Sequence, residues 1–358
     1  MTVTLSHKIC LDPTFKQEQY FKQACGIARF TWNWALAEWK TQYEAGLKPS
    51  ALALKKQFNA IKPIDFPWMY DVTKYASQQP FIHLQSAFNR FFQGTSRYPQ
   101  FKKRGHHDRF YIGNDSIKLE GQRVKFPKLG WIRMREALRI EGKVISATVS
   151  SKANKWFVSL NVELDQTPKS CENQAGVGVD LGVKTLATLS NGETFEAPKP
   201  FKRFTKKLKR MQRSLSRRKK GSQNRHRLRQ KIAKVHARIT NLRQDSLHKL
   251  TSYLTDNFTG IVIEDLNVKG MLSNRKLSGA ITDLGFYEFR RQLEYKSKYK
   301  GNYLKIADRW FPSSKACSKC GHKKEQLKLS ERVYHCEACG QSLDRDLNAA
   351  INLKNLLY

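Results

Sequence analysis

Polar and apolar positions change their period several times along the chain. Residues 2–11 alternate as a strand does. From position 14 the repeat lengthens. Phe21, Cys25, Ala28 and Trp32 recur at spacings of four, three and four, with Trp34, Leu36 and Trp39 widening the stripe, which predicts a helix. Pro49 and Ser50 open a second helix through Leu52, Leu54 and Phe58. A third is expected from about Met69 to Phe92, bent or started by Pro80. Residues 12 to about 95 thus read as a helical bundle with its aromatics in the core. From 110 to 164 the period falls to two. Short runs such as Val124–Phe126, 144–149 and 156–162 are split by Gly, Asn and Pro, which predicts a small barrel or sandwich. The opening strand would join it, making the bundle an insertion. Residues 165–174 are polar and aperiodic, and a domain boundary is expected there.

A second pattern starts at 176. Gly176-Val-Gly-Val-Asp180 is an apolar strand ending in a carboxylate, followed by a turn at Gly182. Residues 185–189 and 194–197 read as two more strands, joined by the hairpin signal Asn191-Gly192. Leu228, Ile232, Val235, Ile239 and Leu242 keep a helical stripe through a long polar stretch broken at Gly221. Gly260-Ile-Val-Ile-Glu264 repeats the apolar strand ending in acid. A helix over 284–299, a strand over 303–307 and a final helix to Leu357 complete the order. Three antiparallel strands followed by alternating helix and strand predict an RNase H-like sheet.

Charge narrows the partners. The chain has 358 residues with 66 Lys and Arg against 30 Asp and Glu, a net charge of +36. Such a balance fits a polyanion, with nucleic acid first. Between Lys199 and Lys249 stand twenty Lys and Arg and one acid, Asp245. Arg217, Arg218, Lys219 and Lys220 form its densest run. Residues 97–110 mix Arg97, Lys102, Lys103 and Arg104 with aromatics in a stretch without period, which suits phosphate contact and base stacking. On the third helix Lys74, Gln78 and Gln79 form a polar face able to read base edges in a major groove. Nothing resembles a membrane span, and the start, MTVTLSHKICLD, lacks the apolar run of a secretory signal. Cys10, Cys25 and Cys171 suggest no disulfide framework, so a cytoplasmic setting is expected.

Two clusters carry chemistry. Cys317 and Cys320, then Cys336 and Cys339, make two C-x-x-C knuckles with fifteen residues between them, the spacing of a four-thiolate zinc ribbon. Gly321 and Gly340 follow the knuckles, where the chain turns sharply. Behind them comes Asp344-Arg345-Asp346-Leu347-Asn348, opening the last helix. In the expected sheet Asp180 and Glu264 end neighbouring strands, and the last helix brings Asp346 to the same edge. Converging carboxylates repel, and a divalent cation relieves that repulsion. Two Mg²⁺ ions about 4 Å apart would serve phosphodiester hydrolysis.

The segments GVDLGVKTLATLSNG, IVIEDLNVKGM, FRRQLEYKSKY, DRWFPSSKACSKCG and YHCEACG-x4-DRDLNAAINL resemble the TnpB family of insertion-sequence proteins, related to type V CRISPR effectors. The resemblance spans nearly the whole chain and is strongest from 176 to 353. It implies an α+β multidomain architecture: a wedge β-barrel at 1–11 and 106–170, a helical recognition lobe at 12–105, a RuvC-like nuclease at 171–310 and 341–358, and a zinc ribbon at 311–340. It implies an RNA-guided DNA endonuclease that cuts beside a short transposon-adjacent motif. Asp180, Glu264 and Asp346 would be the catalytic Mg²⁺ ligands, with Asp344 the rival for the third place. The partners implied are a guide RNA and target double-stranded DNA, around a protein monomer in a bacterial or archaeal, nucleoid-associated ribonucleoprotein. Two alternatives remain open on the residues: a metal-dependent nuclease or transposase-type protein acting without RNA, and a non-catalytic nucleic-acid-binding regulator.

Overall fold

The computed structural model describes residues 3–164, 175–328 and 330–357. Thr2, the boundary segment 165–174 and Cys171 lie outside the described residues. The chain divides into two compact units, Met1–Gln166 and Thr167–Tyr358.

The first unit opens with β1 (Val3–Asp12) and α1 (Phe15–Glu44). Thr14 and Gln17 close a reciprocal capping box at the start of α1, satisfying N–H groups that a helix end leaves bare. Ser50 caps α2 (Ala51–Asp65) singly, its hydroxyl accepting from Ala53 N at 3.2 Å. Helix α3 (Tyr75–Phe92) starts at Tyr75, not Met69, because Pro67–Asp71 winds into a separate 3₁₀ turn. Pro80 lies inside α3. Phe58, Phe81 and Phe88 are fully buried, and Trp39 stacks on Phe88 at 4.1 Å, so aromatics do form the core of the bundle. Then follow β2 (Arg109–Gly113), β3 (Lys118–Glu120), β4 (Arg123–Phe126), β5 (Gly130–Met134), β6 (Lys143–Lys152) and β7 (Lys155–Leu164). With β1 they form one antiparallel sheet in the order β2-β6-β7-β1-β5-β4-β3. Strand β1 sits inside it, paired to β7 from Val3↔Leu164 to Leu11↔Trp156.

The expected barrel is not closed. Among the described residues β2 and β3 are the two edges and do not pair. Closure needs strands long enough to tilt and stagger around a full circle, and β3, with three residues, offers too short a ladder.

The second unit begins with β8 (Gly176–Asp180), β9 (Ala187–Leu189) and β10 (Thr194–Phe195), then α4 (Pro200–Ser216) and α5 (Gln223–Asn257). Next come β11 (Gly260–Glu264), α6 (Val268–Ser273), α7 (Ser278–Leu284), α8 (Phe286–Lys300) and β12 (Tyr303–Ala307). A hairpin of β13 (Val333–His335) and β14 (Ser342–Asp344) leads straight into α9 (Arg345–Lys354). The main sheet has the order β10-β9-β8-β11-β12. Its first three strands are antiparallel, while β11 runs parallel to both β8 and β12.

Alternation along the strands decides what each face carries. Val177, Val179, Ile261 and Ile263 point to a core shared with Leu247, Leu250 and Leu254 of α5 and Phe289 and Leu293 of α8. Val262 points the other way, onto Leu353 of α9. Asp180 and Glu264 belong to that second set by register, on the α9 side.

Candidate active site and metal cage

Strands β8 and β11 match Val179 with Ile263, and the next residue on each is a carboxylate, Asp180 and Glu264. Helix α9 crosses their face at one unusually close point. A Cβ built on Gly178 would lie 1.9 Å from the carbonyl oxygen of Ala350 and 2.5 Å from the nitrogen of Lys354. Only glycine admits helix backbone this near a strand. That approach carries the first turn of α9, with Asp346, toward the strand ends.

The electrostatics follow from this convergence. Burial, and after it the charges of Glu264 and Asp346, push the Asp180 carboxyl up to about 8, with Arg345 opposing. Burial also raises Glu264. The Ser313 hydroxyl, donating to its Oε1 at 2.5 Å, pulls the other way, and Asp346 adds to the rise. Asp346 meets Arg345 at 3.2 Å and Arg332 at 3.8 Å. Asp344 has a different occupation. It is the exposed N-cap of α9, and its Oδ1 accepts from the backbone N–H groups of Asp346 and Leu347 at 2.9 and 3.1 Å.

The four cysteines form a tighter cluster, with all four sulfurs within 4.8 Å of one another. Cys317 and Cys339, and likewise Cys320 and Cys336, stand 3.6 Å apart. A tetrahedral ion with metal–sulfur bonds of about 2.3 Å asks for sulfur pairs about 3.8 Å apart. The two knuckles repeat one geometry. Gly321 N donates to Cys317 O and Gly340 N to Cys336 O, at 2.9 and 3.0 Å, with φ of +76° and +71° at the glycines. Burial works against ionisation of Cys336, yet the N–H groups of Cys339 and Ala338 and the neighbouring thiols lower it below the usual thiol range. Tyr334, fully buried, fills the space beneath the cage. The three carboxylates do not gather as closely as the sulfurs.

Three buried side chains that the sequence pattern did not single out tie the cage to the carboxylates. Asn348 accepts from Ser318 N at 2.9 Å and donates to Ala316 O at 2.7 Å. Asn352 donates to Ser313 O and to Ala316 O, both at 2.7 Å. Ser313 in turn holds Glu264. The D-x-D-x-N spelling was the available signal for Asn348; nothing in the sequence pairs Ser313 with Glu264, 49 positions away.

In the first unit, Lys74 is exposed and pairs with Asp115 at 3.2 Å. Gln78 and Gln79 are half-buried. Gln79 and Lys102 line a cavity of about 140 Å³ with Tyr75, His83 and Arg109. Burial and the nearby Arg109 bring Lys102 down to about 8, and its ammonium lies 3.7 Å from the Trp32 ring centre. Arg97, Lys103 and Arg104 are exposed. In the second unit, Arg217, Lys219 and Lys220 are exposed in the turn between α4 and α5, while Arg218 donates to Asn224 O at 2.5 Å.

The second unit is therefore an α+β fold in which a mixed sheet, a closing helix and a four-cysteine cage meet around three carboxylates. Family models match most of the chain: OrfB_IS605, described as "Probable transposase", over residues 159–275; the Cas12f1-like TNB domain over 286–353; and the helix-turn-helix domain of OrfB_IS605 over 1–48. Residues 3–44 here form β1 and one unbroken helix rather than a helix-turn-helix. A relative from Escherichia coli K12, "Putative RNA-guided DNA endonuclease InsQ", is 35% identical, over 97% of this chain and 90% of its own length. "Putative RNA-guided DNA endonuclease" of Streptomyces pristinaespiralis is 38% identical, over 95% and 86%. The fold resembles the protein in a Cas12f1–sgRNA–target DNA complex, with a TM-score of 0.58 at 14% identity and 99% of each chain covered. The chain belongs to the OrfB/TnpB family of insertion-sequence proteins.

Proposed function

We propose that this chain is the RNA-guided DNA endonuclease of an insertion sequence, cutting DNA beside a short adjacent motif by metal-dependent phosphodiester hydrolysis. The observation that carries the reading is the convergence of Asp180, Glu264 and Asp346 on one sheet edge, where burial and mutual repulsion leave Asp180 at about 8. The strand order β10-β9-β8-β11-β12 is that expected of an RNase H-like, RuvC-type nuclease. Full-length similarity to relatives named as RNA-guided DNA endonucleases supports the same activity.

The residues fit the metals this activity needs. Sulfur spacings near 3.6 Å suit one structural Zn²⁺ held by Cys317, Cys320, Cys336 and Cys339. Excess negative charge at the strand edge suits Mg²⁺, one or two ions, held by Asp180, Glu264 and Asp346. Bound there, Mg²⁺ supplies an activated water and stabilises the leaving oxygen. Asp180, on the central strand, would hold the cation together with Glu264 and Asp346. Asp344 holds the helix end that aims Asp346.

A guide RNA supplies sequence reading by base pairing, and the basic surface neutralises its backbone. Lys74, Gln78, Gln79 and the residue 97–109 loop contact the duplex beside the target, with the cavity at Gln79 and Lys102 as the first place to probe. We take the first unit as wedge and helical lobe and the second as nuclease plus ribbon. The working particle is one protein chain with its RNA in a bacterial cytoplasm, at the nucleoid. Among the described residues no helix is long and apolar enough to cross a membrane.

The experiment is to recover and sequence RNA bound to the purified protein, then assay plasmid cleavage with it. Asp180→Asn, Glu264→Gln and Asp346→Asn should each cut cleavage at least about a thousandfold while RNA binding persists. Asp344→Asn should stay near wild type, because Asn also caps helices. Cleavage that survives RNase treatment and reloading without guide would favour an RNA-independent nuclease. Full activity in Asp180→Asn would end the proposal.

A further inference from the structure

Glutamate on the last residue of a strand has three torsions to fix before its carboxylate can serve as a ligand. Around Glu264 that task falls to the segment between β12 and the cage. Ala307, the end of β12, is the register partner of Glu264. The chain then turns at Asp308, whose Oδ1 accepts from Trp310 N at 2.8 Å. Phe311 packs on Val262 and Leu353. Two residues later Ser313, 5% exposed, sends its hydroxyl to Glu264 Oε1 at 2.5 Å. Glu264 has two carboxylate oxygens; Oε1 is committed to Ser313, and the carboxylate stands near enough to Asp180 and Asp346 for their charges to interact.

Ser313 is itself held from the opposite side. Its carbonyl accepts from Asn352 of α9 at 2.7 Å, and Asn352 also reaches Ala316 O at 2.7 Å. Asn348, fully buried one turn earlier, grips Ala316 and Ser318. Cys317, a cage ligand, lies between those two contacts. Asn348 and Asn352 are on the helix that bears Asp346. One short segment thus touches Glu264 with a side chain, α9 through its carbonyls, and the cage through Cys317.

We propose that Ser313 is a positioning residue: its hydroxyl fixes the Glu264 carboxylate in register with Asp346, so that a divalent cation meets both ligands already in place. The proposal rests on the nuclease reading above. Ser313 acts through Glu264, and the cage and α9 hold it there. Groups that orient a metal-binding carboxylate are worth about ten- to a hundredfold in metal affinity.

The test uses full-length protein carrying its co-purified RNA and one equivalent of zinc, with Mn²⁺ as the probe and binding read by electron paramagnetic resonance, apart from any cleavage. Ser313→Ala should keep its zinc and its RNA but bind Mn²⁺ about tenfold more weakly. Ser313→Thr, which restores the hydroxyl, should return to within about threefold of wild type. The Mg²⁺ concentration for half-maximal cleavage should move in parallel. Unchanged Mn²⁺ affinity in Ser313→Ala would overturn the proposal. So would a Ser313→Thr variant as weak as the alanine, since the effect would then be one of packing. If Ser313→Ala does not fold, Ser313→Gly replaces it, and wild-type Mn²⁺ affinity there is the overturning result. Asp180→Asn is run alongside. Cleavage lost in Asp180→Asn with Mn²⁺ binding unaltered in Ser313→Ala sinks this inference alone, whereas cleavage kept in Asp180→Asn sinks the nuclease reading.

Discussion

Asp180 sits under strong electrostatic pressure. Its carboxyl, ordinarily near 3.8, is lifted to about 8 by burial and by Glu264 and Asp346. A carboxyl raised in the folded state favours folding below its unfolded pKa and loses that contribution as pH climbs through the folded one. Without added Mg²⁺, the second unit should therefore lose stability between about pH 4 and pH 8 through this residue. A divalent cation replaces the proton, so Mg²⁺ should raise the melting temperature more at pH 8 than at pH 6, by several degrees. Asp180→Asn, neutral throughout, should lose that pH-dependent difference. Equal stabilisation by Mg²⁺ at both pH values in the wild type would contradict the assignment. At this scale the sequence was most readable where chemistry is local. Two C-x-x-C knuckles specify their own geometry, because each loop bends around its sulfurs with a glycine at positive φ. Ser313 was unreadable, because its meaning comes from a partner 49 positions earlier and from Asn352 behind it.

Helix α9 and strand β8 meet through Gly178. An added methyl there would strike helix backbone, the carbonyl oxygen of Ala350 at 1.9 Å, and backbone cannot swing aside as a long side chain does. Gly178→Ala should push α9 off the sheet, destabilise the second unit by about 3 kcal/mol or more, and abolish cleavage with every carboxylate intact. Gly260→Ala is the control, since the nearest atom to its Cβ would be the flexible Leu357 Cδ1 at 3.1 Å. It should cost clearly less in thermal unfolding. Equal melting temperatures for the two variants would mean that the helix does not depend on this approach. Apolar runs with an acid at the end revealed β8 and β11 in the sequence, and the carboxylates with them. The glycine alternation within β8 carried the docking site of α9, but a glycine in a strand announces a close approach without naming what approaches. The sheet of the first unit shows the same limit. Period-two runs gave its strands, while closure depends on strand length and stagger, and β3 is too short to complete a barrel.

Across the whole molecule the dominant property is charge. The excess of +36 is far beyond what solubility requires and is concentrated where apolar contacts are sparse. Residues 199–249 hold twenty basic side chains, and most of α4 and the first half of α5 is exposed or half-buried. The turn between these helices is held by local contacts. Gly221 takes φ of +84°, Ser222 caps α5, and Arg225 donates to the carbonyls of Leu215 and Arg218. Arg218 is tied to Asn224, so its reversal would disturb the turn as well as the charge. Arg217, Lys219 and Lys220 are exposed on this turn, and their joint replacement by Glu tests charge at the cost of one helix-end contact, the bond from Arg217 Nε to Arg213 O at 3.3 Å. If they neutralise RNA phosphates, the variant should bind its co-purified RNA at least about tenfold more weakly at physiological salt. The slope of log affinity against log salt should also fall in magnitude by about two, because each phosphate contact contributes roughly 0.7 to 0.9 through released counterions. Circular dichroism must remain that of the wild type, as the turn keeps its Gly221, Ser222 and Arg225 anchors. A lowered affinity with an unchanged salt slope would place these three side chains away from the phosphate backbone, and the RNA-binding face would then have to be sought elsewhere on the same basic helices.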